Sequence, residues 1–312
     1  MKTAFKNLQF ALFSLVLLSL SSTSILAQNL AIAISPPISE IVIMPGKEVL
    51  LSFTIINHGA DGYATFSLAQ FLPKDEYGNI SADDSTDITG SPTFSSWFTL
   101  PEKNYIRSGE TKNVSLKISP PENTPEKDYY FTFFYEVGKE NLINFQTGSG
   151  NTAKAKVGAN ILISVSQTGQ MTKKAGPVSL TAPKIIDSLQ GLTYKLRVGN
   201  AGQFFFKPMG IIEINSFLGK KEILALAPVN VVSGSSRFIP CLENEALTEC
   251  KIKQRVLIGI YQAKASFTTD ENGELYSSQT TTLAFPFSIT IAVTTVILGY
   301  LTIRKIVKKT SP

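Results

Sequence analysis

The chain has one histidine, two cysteines and one tryptophan in 312 residues. Each scarcity closes off chemistry. A nucleophile triad needs an imidazole base in most variants. The only one here is His58, in the turn Asn57-His58-Gly59-Ala60-Asp61-Gly62, and no Gly-x-Ser-x-Gly elbow accompanies it. A structural zinc site needs about four nitrogen or sulfur ligands, more than His58, Cys241 and Cys250 supply together. Neither a Cys-x-x-Cys pair nor a phosphate-cradling glycine loop occurs. Asp83, Asp84 and Asp87 cluster in a polar stretch, but their spacing does not match the calcium loop of an EF-hand. These absences point away from an enzyme and call for no cofactor.

Charge is missing where it would block a membrane. Leu8–Leu20 is apolar but for Gln9, Ser14 and Ser19. It follows Lys2 and Lys6 and precedes a small-residue cleavage point after Ala27, so residues 1–27 read as a secretory signal peptide. No cysteine follows that run, which excludes a lipoprotein anchor. Residues 283–303 form a second uncharged run, long enough to cross roughly 30 Å of hydrocarbon as a helix. Arg304, Lys305, Lys308 and Lys309 follow at once, and the positive-inside rule places that tail, residues 304–312, in the cytoplasm. The expected localisation is the plasma membrane, single-pass and type I, with the body extracytoplasmic. The formal net charge is +5, but six of the 29 basic residues lie in the two ends and none of the 24 acidic ones do. The body is therefore close to neutral, which removes the argument for a nucleic-acid partner.

What remains is rich in Thr, Val, Ile, Phe and Tyr, with short alternating runs between Gly, Pro, Asn and Asp clusters and no convincing amphipathic helix. Val49, Leu51, Phe53 and Ile55 alternate with smaller or polar neighbours, as do residues 153–165 and Leu192, Tyr194, Leu196 and Val198. About seven strands per half, with turns every 8 to 12 residues, predict an all-β body of two tandem immunoglobulin-like β-sandwich domains. The first covers residues 28–168, a linker covers 169–177, and the second covers 178–282. Asn57-His58-Gly59 is echoed by Asn200-Ala201-Gly202, and Ser108-Gly109 by Ser233-Gly234, which reads as a duplicated plan. Residues 256–268 and 274–283, joined by Asp270-Glu271-Asn272-Gly273, form a closing hairpin that runs almost directly into the membrane segment. In an exported chain Cys241 and Cys250 pair as a local disulfide, the alternative being two buried thiols.

Met44-Pro45-Gly46 ahead of an alternating strand ending at Asn57, then Ile106-Arg107-Ser108-Gly109, Ile118-Ser119-Pro120-Pro121 and the aromatic strand from Tyr129 carry a resemblance. In these and in its order of parts the chain resembles the surface proteins encoded with WxL proteins in Gram-positive bacteria. The resemblance implies a first sandwich that binds peptidoglycan, a second that contacts another protein, one membrane helix and a basic tail.

Two functions are open at this stage. One is a membrane-anchored surface binding or adhesion protein that meets peptidoglycan or another envelope polymer. Its contacts would lie on loops at the far pole of the first sandwich: His58 and Asp61 in one, Asn141, Asn144 and Phe145 in the other. The alternative is an envelope assembly or chaperone-like scaffold that holds an extracytoplasmic protein through a sheet edge. For that reading Phe204-Phe205-Phe206 is informative, because three consecutive strand side chains cannot all point inward.

Overall fold

The computed structural model describes residues 31–82, 88, 91, 93–138, 155–271 and 273–310. Residues 1–27, and Asn141, Asn144 and Phe145, lie outside them. The described chain is mostly β-strand and ends in one apolar helix.

The strands of the N-terminal half are β1 Ile32–Ser35, β2 Ile38–Ile43, β3 Val49–Asn57, β4 Gly62–Gln70, β5 Leu72–Pro73, β6 Ile80–Ser81, β7 Phe98–Thr99, β8 Asn104–Ile106, β9 Thr111–Ile118, β10 Lys127–Gly138 and β11 Ala155–Val165. They form a sheet of order β1-β3-β9-β7 and a facing sheet of order β2-β11-β10-β4-β8. Pro36 and Pro37 explain why the first strand changes sheets. Neither has an amide to donate, so the β1 ladder with β3 stops and β2 restarts parallel to β11. The core between the sheets is aromatic. Phe53, Phe131, Phe133 and Tyr135 are fully buried, and Trp97 meets the Tyr129 ring edge-on at 4.7 Å.

The C-terminal half contains β12 Ala175–Thr181, β13 Ile185–Asp187, β14 Thr193–Asn200, β15 Met209–Ser216, β16 Lys221–Leu226, β17 Ser236–Ile239, β18 Cys241–Glu243, β19 Ala246–Thr248, β20 Cys250–Lys251, β21 Gly259–Thr268 and β22 Tyr276–Phe285. One sheet runs β12-β14-β17, with β20 also on β14. The other runs β13-β22-β21-β15-β16-β18-β19. Tyr194, Leu196 and Val198 of β14 face Ile212, Ile214, Tyr261, Ala263 and Phe267 across this second core. Cys241 and Cys250 are bonded and buried, and the bridge ties β18 of one sheet to β20 of the other.

Three expected boundaries move. Ala175, Gly176 and Pro177, placed in the linker, open β12, where the register with β14 shifts between Ala175 and Val178; a bulge accommodates the Gly-Pro pair. The hairpin strand expected from Val256 starts at Gly259, because Val256–Ile258 carry a connection rather than a ladder. Leu283–Phe285, placed in the membrane run, are the end of β22 and pair with Ile185–Asp187. Helix α1 spans Phe287–Thr310, separated from β22 by Pro286 alone. Of it, Phe287–Lys305 is long and apolar enough to cross a membrane by length and composition, and none of that stretch is buried in the protein. Its threonines suit an apolar medium. The hydroxyls of Thr290, Thr294, Thr295 and Thr302 each donate to the carbonyl four residues back, so none is left bare.

The echoed motifs prove to be matching corners. Asn57 is buried. Its Nδ2 donates to Ala60 O at 2.9 Å and Arg107 O at 3.2 Å, and its Oδ1 accepts from Gly59 N. Asn200, also buried, donates to Phe204 O at 2.9 Å and Val231 O at 2.8 Å and accepts from Gly202 N. Gly109 and Gly234 serve as the turn before the next strand, with φ of 76° and 70° that L side chains rarely adopt.

Candidate functional site

A buried polar network lies in the crease between the two sandwiches. It starts from an exception in sequence pattern. A half-buried strand alternates, yet in β10 the run from Asp128 to Phe133 is buried on both faces. The inner face belongs to the first core. The outer face, with Leu162 and Ser164 of β11 and with Phe71, is covered by Phe205 and Val232 of the second sandwich. Phe71 and Tyr130 stack at 5.4 Å between centroids.

Asp128 organises the contact. Its Oδ1 accepts from Ser164 Oγ at 2.6 Å, and its Oδ2 accepts from Tyr130 Oη at 2.9 Å and from the Phe205 amide. Its own amide donates to Gln203 O at 3.1 Å, and Tyr130 Oη accepts from Ser233 N at 2.9 Å. Burial pushes the Asp128 carboxyl above the ordinary carboxylate range, and the three donors only partly offset it. Burial and the neighbouring Asp128 charge push the Tyr130 phenol up.

A second set of contacts comes from the turn between β5 and β6. Asp75 Oδ1 accepts from the amides of Tyr77 and Asn79, and its Oδ2 accepts from Asn79 Nδ2 at 2.7 Å. These bonds hold the Asp75 carboxyl below its usual value. The turn leads Glu76 across the crease. Its carbonyl accepts from Phe238 N at 2.7 Å, and its carboxylate takes a two-pronged contact from Arg197, Nε at 2.8 Å and Nη2 closer. That guanidinium keeps Glu76 below the usual range. Gly78, at φ 91°, lies flat against the Arg237 guanidinium; a Cβ there would stand 2.3 Å from Nη2. Arg237 donates to Asn230 O at 2.8 Å, while its buried Nε and the buried Asn230 Oδ1 have no partner among the described residues. Burial lowers the Arg237 pKa, against the nearby Asp75 charge. Asp75, Gly78, Asn230 and Arg237 line a cavity of about 150 Å³ with Ile38 and Asn160.

Strand β2 passes along this crease. Glu40, at its middle, accepts from Lys207 Nζ at 2.8 Å and Asn230 Nδ2 at 2.7 Å, both from the second sandwich. Asn160 N donates to Pro37 O and Ser166 N to Ile43 O, so the odd-numbered residues of β2 turn their backbone toward β11. Ile38, Glu40 and Val42 therefore turn theirs to the other side, where no strand pairs among the described residues. The side chains of Ile38 and Val42 are 51% and 52% exposed.

The residues singled out from sequence fall elsewhere. His58 is exposed and Asp61 lies three residues on, at the pole opposite the crease. Asp61 is committed locally: Oδ1 accepts from Ser108 N at 2.7 Å and Oδ2 from Tyr105 Oη at 3.2 Å. Gly138, where the second expected loop begins, shares this pole, because a Cβ on Gly62 would stand 2.7 Å from Gly138 O. Phe204 and Phe206 are buried in the second sandwich, and Phe205 packs on the first. The aromatic triplet is thus a seam, not an exposed sheet edge. The crease itself escaped sequence reading. Its one visible signal was Asp128, a lone carboxylate opening an otherwise aromatic strand; Glu76 and Arg197 carried none.

Among the described residues no group of three or more His, Cys, Asp and Glu is placed to hold a metal ion. No protein-family model and no curated protein matches the chain. Solved structures do. The class 5 fimbriae chaperone CfaA is 11% identical, with 81% of this chain and 100% of that one covered and a TM-score of 0.38. The Escherichia coli chaperone DraB is 11% identical, covering 80% and 96%, at 0.36. A Salmonella enterica SafA pilin–SafB chaperone complex matches at 9% identity, covering 81% and 97%, at 0.35.

Proposed function

We propose that this chain is a membrane-tethered, extracytoplasmic scaffold of two immunoglobulin-like sandwiches that binds an extended segment of a secreted protein along β2. The observation that carries the reading is the open side of that strand. Ile38, Glu40 and Val42 present main-chain groups there that are unpaired among the described residues, beside a crease lined by Arg237 and Asn230. An added strand gains its affinity from main-chain hydrogen bonds and its specificity from alternate side-chain pockets. The single span and basic tail follow the plan that the resemblance to WxL-associated surface proteins implies, with the sandwiches outside. The far-pole reading has less to offer in the described residues, since both Asp61 oxygens are already spent on the protein itself.

Val42→Pro tests this directly. It deletes one outward amide and leaves the bonds to β11 in place. A photoreactive side chain at Ile38, installed in intact cells, should crosslink to a secreted protein, and Val42→Pro should abolish that adduct with little change in melting temperature. An adduct that survives Val42→Pro, or one that forms only from a probe at His58, would overturn the β2 assignment.

A further inference from the structure

The pole of the second sandwich that carries α1 is ringed by apolar side chains that no core accounts for. Three connections converge there. β13 pairs with the last residues of β22, and Ser188 N then donates to Phe285 O at 3.0 Å. Leu257 N donates to Ser188 O at 2.9 Å, which draws in residues 255–258. Phe217 N donates to Ile260 O at 2.8 Å, bringing the turn after β15 to the same level. Ile185, Leu189, Leu218, Val256 and Ile258 are exposed around this pole, and Phe217 is 75% exposed.

Basic residues stand beside these apolar ones. Lys184 precedes Ile185, Lys220 follows the Phe217-Leu218 turn, and Arg255 precedes Val256; all three are exposed. The nearby acids are occupied: Glu222 accepts from Lys253 N at 3.0 Å, and Asp187 lies within the ring. It accepts from Ser288 N at 2.7 Å, capping the first turn of α1, and from Leu189 N at 3.0 Å. Those two bonds hold its carboxyl below the ordinary range.

We infer that this collar is seated in the headgroup and acyl boundary of the leaflet from which α1 emerges, its apolar residues among the upper acyl chains and Lys184, Lys220 and Arg255 on lipid phosphates. The inference rests on α1 spanning the bilayer. Given that span, the occupant follows from continuity. Pro286 alone separates β22 from the helix, so no stalk lifts the collar clear of the lipid. Charge selects lipid over a second copy of the chain. Two collars face to face would oppose basic residues, whereas a leaflet offers negative phosphates. An exposed apolar patch with a basic rim is the composition that lies in a membrane interface.

The test uses the full-length chain in vesicles of phosphatidylcholine and phosphatidylglycerol, some brominated on the upper acyl carbons. Trp97, buried in the first sandwich, stays as an internal reference. Phe217→Trp and Leu189→Trp should each add emission that the brominated lipid quenches and that aqueous acrylamide reaches poorly. Leu50→Trp, exposed on the first sandwich, should show the reverse. Vesicle flotation separates the two ideas involved. Failure to float would remove the spanning helix and the collar together. Flotation of the Phe217→Trp and Leu189→Trp variants with their added emission open to acrylamide and unquenched by bromine would remove the collar alone. Protection from acrylamide without bromine quenching would assign the face to protein and also overturn the inference.

Discussion

Asn57 and Asn200 occupy equivalent corners and do equivalent work, each satisfying two carbonyls and one amide that the turn would otherwise bury bare. An alanine at either site leaves three groups unpaired, and we expect a cost of about 2–3 kcal/mol to the sandwich concerned. The single tryptophan makes the two separable. Trp97 reports on the first sandwich, so Asn57→Ala should shift its denaturant transition more than Asn200→Ala does; equal shifts would show that the halves unfold as one unit. Asp128 gives the seam a pH dependence. Its folded pKa lies above its unfolded one, so its contribution is fully present at low pH and is lost as pH rises through the folded value. Glu76 has the opposite sign: its folded value is depressed, and its contact with Arg197 fades only as pH falls through that lower value. Acidification from about pH 7 toward the usual carboxylate range near 4 should therefore tighten the seam, and further acidification below that range should loosen it. Melting curves of the native protein should show the initial gain, and Asp128→Asn should lack it. A native profile without that gain would mean that the carboxyl is not held up by burial.

At the level of elements, the alternation of β3, β11 and β14 was legible because one face of each carries core side chains and the other mostly polar or small ones. β10 was legible as a strand but not as an interface, because period-2 alternation says nothing about what covers the outer face. The reach of the Asp75–Asn79 turn across the crease depends on Gly78 and Arg237, which lie far apart in sequence. The disulfide was legible from spacing, but its role was not. A nine-residue separation predicts a clip on a local hairpin, whereas the bridge joins strands of opposite sheets in the core. Its removal should therefore loosen the closure of the second sandwich and not merely the Leu242–Glu249 turn. Chain entropy alone gives about 2.5–3 kcal/mol for a loop of this size. Hydrogen exchange on a Cys241→Ala, Cys250→Ala double variant should show faster exchange in β14 and β16 as well as in β18 and β19; a change confined to residues 242–249 would restore the local view.

For the whole molecule, the order is linear. The far pole with His58 leads through the first sandwich to the crease, then through the second sandwich to its apolar collar and α1. Pro286 is the only residue between the last strand and the helix, and Asp187, one strand over, holds the helix's first turn. Such a junction has no swivel. Whatever tilts or twists the second sandwich must turn α1 with it, and the Asp128 seam carries the same rotation outward to the first sandwich. Load taken up at β2 would therefore reach the basic residues at the far end of α1 as torque, as force on a rigid shaft does, and a flexible glycine–serine insertion after Phe285 would disconnect the two.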